Sequence, residues 1–196
     1  GFTKPEILRM SLDQVLLHLR CLNYSMDEIL ALEFMDAPGE KSWREAEAIL
    51  KMLGCIDEND DVSPVGQRIE RLKVAPMLGR MLLESEKYGC VDEMATVVAG
   101  FISRPLFVRP KDKDKEADAA HMKFKDITSD ALTTLAVWNA WNKNGAVNVA
   151  SVSFETIDLV SAPTNYWARD NFISYRAIKE IERNRDQLLE TLSREG

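Results

Sequence analysis

What this 196-residue chain lacks narrows its chemistry first. It has 3 cysteines and 2 histidines. Cys21, Cys55 and Cys90 lie far apart, form no Cys-x-x-Cys pair, and have only His18 and His121 to assist them. That spacing gives no zinc site, and the thiols read as buried groups of a reducing compartment. No GxxxxGK[ST] phosphate loop, no GxSxG nucleophile turn and no Asp-Glu pair placed to hold magnesium occurs. No residue is therefore nominated as catalytic or as a metal ligand, no cofactor is expected in this stretch, and ATP hydrolysis by it alone is not expected. No run of about 18 apolar residues is present, so no membrane partner is expected. The opening GFTKPEILRM places Lys4 before any uninterrupted apolar core, unlike a signal peptide, so secretion is not expected. An initial Gly without Met reads as an excised fragment or a tag scar.

An excess of positive charge is also missing. Lys and Arg number 25 against 32 Asp and Glu, for a net charge of −7, which argues against a free-standing nucleic-acid binder held by bulk electrostatics. The charge is unevenly placed. Between residues 26 and 62 eleven acids face only Lys41, Arg44 and Lys51, whereas between 101 and 125 Arg104, Arg109 and five lysines outnumber the four acids. The acidic part suits water or a basic partner, and the basic part suits phosphate.

What is present is helix punctuation. Thr3 and Glu6 around Pro5, then Ser25 and Glu28, then Ser42 and Glu45, are spaced as capping boxes ahead of apolar stripes. Phe34-Met35-Asp36-Ala37-Pro38-Gly39 reads as a turn, and Gly54 ends a third helix. Cys55–Asp57, an acidic turn over 58–61 and Val62-Ser63 read as a small hairpin before a helix from Ser63-Pro64. Three helices and a hairpin describe a winged-helix module over 1–73. Beyond Pro76 the pattern is helical. Leu78, Met81, Leu82 and Tyr88 form one stripe, and Met94, Val97, Val98, Phe101 and Ile102 the next. Leu132, Leu135, Ala136, Trp138 and Trp141 mark a third, and a last helix over 175–192 turns Ile178, Ile181, Leu188 and Leu192 inward. Residues 145–163, rich in Val, Ser and Thr, read as an extended loop or short strands. The fold class expected is mainly α: a winged helix with a small β-hairpin, followed over 74–196 by a helical bundle.

The candidate recognition helix, residues 42–53, sets Glu45 and Glu47 against Arg44 and Lys51, and the wing tip is Glu58-Asn59-Asp60-Asp61. Such a tip repels phosphate, so duplex reading is disfavoured and docking is the better use. Arg104, Arg109, Arg169, Arg176, Arg183 and Arg185 leave two readings open. They are a solvated face balanced by Asp170, Glu180, Glu182 and Asp186, or phosphate contacts along one side of a single-strand channel.

The motifs resemble, in collinear order, the helicase-associated region that follows the motor domains of DEAH-type ATP-dependent RNA helicases, including those of pre-mRNA splicing. Phe34-Met35-Asp36-Ala37-Pro38, Ser63-Pro64-Val65-Gly66, Met81-Leu82, Gly89-Cys90, Ser103, Phe107, Arg109-Pro110, Ala117-Asp118 and Phe124 carry it. Asn171-Phe172-Ile173, Arg176-Ala177, Arg185 and Gln187-Leu188 are similar to the closing motif. The resemblance implies a winged helix plus a ratchet-like helical domain, packed on two motor domains and followed by an oligonucleotide-binding fold, together gripping single-stranded RNA. ATP and Mg are implied for the motors, a protein adaptor for the parent, and a nuclear setting, with a cytoplasmic one as the variant. The RNA contacts implied are Ser103, Arg104, Arg109, Asn171 and Arg176, donating to phosphate or sugar. Ser129-Asp130-Ala131-Leu132-Thr133 stands where the family has Gly-Asp-His-Leu-Thr, Trp167-Ala168 where Trp-Cys is common, and 145–163 looks like an insertion. The alternative is a stand-alone docking module of the same fold without a motor.

Overall fold

The computed structural model describes residues 10–32, 38–145 and 166–194. Among them are ten α-helices and no sheet. Packing divides the chain into two compact units, Gly1–Val91 and Asp92–Gly196.

The first unit holds α1 (Leu12–Cys21), α2 (Met26–Leu30), α3 (Glu40–Met52), α4 (Pro64–Leu72) and α5 (Pro76–Tyr88). Leu16, Leu17, Ile29, Leu50, Ile69 and Leu82 are fully buried and form its centre. α1 packs on α3 and α4, and α4 on α5. Gly79 allows the last contact, because a Cβ there would lie 2.9 Å from Ile69 Cγ2. Arg68 adds a two-pronged ion pair from α4 to Glu86 on α5, at 2.8 and 3.0 Å.

The helix starts were partly legible. Ser25 and Glu28 form the expected reciprocal capping box, and Ser63 caps α4 with Pro64 at its first position. Gly54 follows α3 with φ +72°. Two starts differ. α1 begins at Leu12, because Ser11 is extended (φ −67°, ψ 153°); the Thr3 cap lies outside the described residues, as do positions 34–37 of the expected turn. Ser42 caps nothing: Gly39 is the N-cap of α3 and Ser42 lies inside its first turn.

The expected hairpin is reduced to one antiparallel bridge, Ile56↔Val62, flanked by Asp57 N–Asp61 O and Ser63 N–Cys55 O bonds of 2.9 Å. Asp57 Oδ1 accepts the amides of Asn59 and Asp61, at 2.9 and 3.0 Å. Those donors serve a turn and not a longer ladder. The tip is not a free acidic loop either. Arg20 donates to the carbonyl of Asp60 and, at 3.0 Å, to its Oδ2, while Lys51 Nζ lies 2.9 Å from Oδ1. The Lys51 hydrogen bond holds the Asp60 carboxyl below its usual range against partial burial, with Arg20 adding to the effect.

The second unit contains α6 (Val91–Ile102), α7 (Asp114–His121), α8 (Asp130–Ala140) running into a π-helical turn (Trp141–Gly145), α9 (Tyr166–Asp170) and α10 (Tyr175–Ser193). Its core is Val137, Trp141, Ala168, Ile173 and Ile178, ringed by Leu106, Phe107, Phe124, Trp138, Trp167 and Tyr175. Trp141 meets Trp167 and Tyr175 edge-on, each with ring centroids 5.9 Å apart. Gly100 lets α6 approach α8, since a Cβ would lie 2.6 Å from Thr134 Cγ2. α10 buries Ile178, Ile181, Leu188 and Leu192, the stripe its spacing predicts. Leu132, Phe101, Ile102 and Tyr88, expected inward, are exposed. On α8 the reason is local. Asp126 Oδ1 accepts the amides of Thr128 and Ser129, and Thr133 Oγ1 accepts the amide of Asp126 at 2.9 Å. This turn sets the phase of the helix so that Thr133, and not Leu132, points inward. Of the loop expected over 145–163, all but Gly145 falls outside the described residues.

Candidate functional site

The site is built from an arm and a helix that are remote in sequence. After α6 the chain leaves as Ser103-Arg104-Pro105-Leu106-Phe107-Val108-Arg109-Pro110, which cannot continue a helix past Pro105. An antiparallel bridge, Phe107↔Ile173, pins this arm to the segment between α9 and α10. Val108 N donates to Phe172 O at 2.9 Å and Ser174 N to Leu106 O at 2.7 Å. Phe172 has φ +53°, an uncommon conformation for a bulky residue. Its carbonyl also accepts from His121 Nε2 at 2.9 Å, and the His121 ring packs on Phe107 with centroids 4.2 Å apart. His121 thus ties α7 to the bridge.

The start of the arm lies on α10. Asn184 Nδ2 donates to Ser103 Oγ at 3.0 Å, and Arg104 Nε donates to Glu180 Oε2 at 2.6 Å. Glu180 and Asn184 are four residues apart, hence on one helix face. Arg176 lies one turn before Glu180 on the same helix, exposed, and makes no ion pair with the described residues. Ser103, Arg104 and Arg176 are therefore gathered on one surface. Arg109 is held elsewhere: its Nη2 donates to Asp118 on α7 at 2.6 Å, with both side chains exposed. Asn171 faces its own backbone, with Nδ2 donating to Trp167 O at 2.9 Å. It adjoins the bridge, and its side chain supports the end of α9.

Four residues carry roles that spacing alone hid. Arg183 is exposed, seven residues beyond Arg176 and so about 10.5 Å further along the same face. It too makes no ion pair among the described residues. Arg185 is the opposite case, with a side chain only 20% exposed. It donates to Thr96 Oγ1 at 3.1 Å and to Asp92 Oδ1 at 2.5 Å, and its guanidinium lies 5.7 Å from the Trp138 ring centre. It is an anchor between α10, α6 and α8. Glu180 and Asn184 hold the arm, although Glu180 reads from the sequence only as a counter-charge. Arg169, also weighed as a phosphate contact, pairs with Asp170 and lies over the Tyr166 ring.

Residues 75–134 match the family model of the helicase associated domain (HA2), ratchet-like. The match runs from α5 through the arm into the first turns of α8, so it includes Ser103, Arg104 and Arg109. It agrees with the helicase-associated region of DEAH-type proteins that the motifs resemble. Asn171 and Arg176 lie beyond the matched ratchet-like segment, and the bridge and the α10 contacts join them to it.

Proposed function

We propose that this chain is the winged-helix and ratchet segment of a DEAH-type ATP-dependent RNA helicase, and that its second unit grips the backbone of single-stranded RNA while motor domains of the same parent cycle. The observation that carries the reading is the pinning of the arm: the Phe107↔Ile173 bridge and the Ser103–Asn184 and Arg104–Glu180 contacts set Ser103 and Arg104 on the helix that bears Arg176. Guanidinium and hydroxyl donors on a rigid helix suit phosphate and sugar oxygens, which are the same for every base. The net charge of −7 fits a local grip inside a larger machine better than long-range attraction. The α1–α3 helices followed by the bridged turn at Ile56 and Val62 support a winged helix with a very short wing. Arg109 and Asn171 belong to the grip as flanking donors. Arg109 reaches phosphate by exchanging its exposed partner Asp118, and Asn171 by releasing the Trp167 carbonyl.

ATP and Mg2+ belong to the motors in this proposal, and no residue of this chain is assigned to them. A following oligonucleotide-binding fold would close the channel, a protein adaptor would act on the parent, and the setting would be nuclear RNA processing such as pre-mRNA splicing.

The test is anisotropy of a fluorescein-labelled oligouridylate titrated with this chain at several salt concentrations. Binding is expected to weaken as salt rises, by about 0.7 in the log–log slope for each phosphate neutralised. Arg109→Glu together with Arg176→Glu is expected to weaken it at least tenfold. Unchanged binding in that double variant would make the site assignment wrong, and no binding at all would favour a docking module that kept the fold.

A further inference from the structure

Arg104 and Arg109 are both paired with carboxylates, but in different geometries. Asp118 takes the terminal Nη2 of Arg109, so the end of that guanidinium is occupied. Glu180 takes only the inner Nε of Arg104. The terminal Nη1 and Nη2 of Arg104 make no hydrogen bond or ion pair with the described residues, and the side chain is 55% exposed. Glu180 itself is only 23% exposed and stands on α10, where Ile181 and Ile178 beside it are fully buried. Four residues on, Asn184 fixes the preceding residue of the arm through Ser103 Oγ. The carboxylate is thus held on a packed helix and takes only the inner nitrogen of the guanidinium, on the helix face that also bears Arg176 and Arg183.

We infer that Glu180 is a positioning residue for the RNA grip: it holds the Arg104 guanidinium by Nε so that Nη1 and Nη2 face a backbone phosphate. An arginine presents a planar fork, and fixing one edge by a charge-assisted hydrogen bond orients the other before the ligand arrives. A phosphate then meets an ordered donor pair and less side-chain freedom is lost on binding. The inference rests on the proposed RNA-binding reading and adds to it an acid that assists the binding of an anion.

Charge alone predicts the opposite sign, and that makes the inference testable. Removing a carboxylate beside a phosphate site should tighten binding if Glu180 were only a nearby negative charge. Positioning predicts that Glu180→Ala weakens oligouridylate binding about threefold to tenfold and lowers the salt slope by about 0.7, the value for one lost phosphate contact on a single strand. Glu180→Gln keeps an oxygen acceptor for the Nε proton and is expected to restore most of the affinity. Arg104→Lys keeps the charge but has no Nε donor, and is expected to behave like Glu180→Ala. Its side chain lies on the surface, so it serves if Glu180→Ala fails to fold. Thermal melts of each variant separate loss of fold from loss of grip. Tighter or unchanged binding in Glu180→Ala, with Arg109→Glu/Arg176→Glu still defective, would overturn the inference and leave the RNA reading standing. Unchanged RNA binding by the double variant, or no binding by the unsubstituted chain, would remove both together.

Discussion

At the scale of single residues, the closest constraint is at Gly66. A Cβ there would lie 2.3 Å from the Cys55 carbonyl oxygen, and that oxygen also accepts from Ser63 N, so the backbone has little freedom to retreat. Gly66→Ala is expected to destabilise the first unit by about 1–3 kcal/mol through overpacking, read as a lower midpoint in urea with unchanged slope. Cys55 shares this corner. It is fully buried, and burial pushes its thiol up to about 11, so it is inert as a nucleophile near neutral pH. The reading of three buried thiols needs correction for the other two, since Cys21 and Cys90 are only half-buried. His18 lies partly exposed near the end of α1. Its Nδ1 lies 2.9 Å from Glu70 Oε1, which fits a surface partner better than a reacting one.

At the scale of elements, helices were legible where cap and stripe agreed, and misread where a turn outranked propensity. α10 carries its N-cap Ser174 and a stripe of Ile and Leu over nineteen residues, and its bounds follow from those signals. α8 does not: the Asp126 turn rotated its inward face away from Leu132, and no apolar periodicity encodes that. The arm was legible as a stop, because Pro105 and Pro110 exclude a helix. Its partner was not, since a single bridge between residues 107 and 173 leaves no local pattern. The candidate site divides the same way. Its arginines could be named from the sequence, but whether each met solvent, a carboxylate or the core depended on contacts remote along the chain. Arg185 shows the limit: by composition it equals Arg176, yet it is half-buried and bound to Trp138, Thr96 and Asp92. Arg185→Ala is expected to cost about 1–3 kcal/mol by taking the donor from the buried Thr96 hydroxyl and the cation from the Trp138 ring. Thermal unfolding checks it, and a variant as stable as the unsubstituted chain would show the anchor to be dispensable.

At the scale of the whole molecule, acid is the revealing variable. Asp60 is held below the usual carboxylate range by Lys51, Glu86 by Arg68, and Glu84 by Lys87. Glu70 is raised by burial, but hydrogen bonds from Lys73 and His18 outweigh this and leave it lowered. Asp126 is lowered by Thr128, and Glu28 by Ser25. Folded carboxylates with depressed pKa values contribute stability that is complete above the unfolded range of about 4–4.5 and is lost as pH falls through the folded values. Denaturant midpoints are therefore expected to be level from about pH 7 to 5 and to fall below about pH 4.5. A midpoint that rose on acidification would contradict these pairings. Five of the six carboxylates (Glu28, Asp60, Glu70, Glu84 and Glu86) lie in the first unit, so the early loss should come from there. The bridge at Phe107 has a consequence of another kind, for how such a molecule can be divided or inherited. The segment with the family match ends at residue 134, yet the backbone that holds its arm, the ring that covers Trp141 and the carboxylate that meets Arg104 all come from residues 166–180. A gene cut at the edge of the family match would keep three of the five candidate donors, leave Arg109 on Asp118, and strip Ser103 and Arg104 of the helix face that holds them; a stretch transplanted with its arm in place has to reach Asn184.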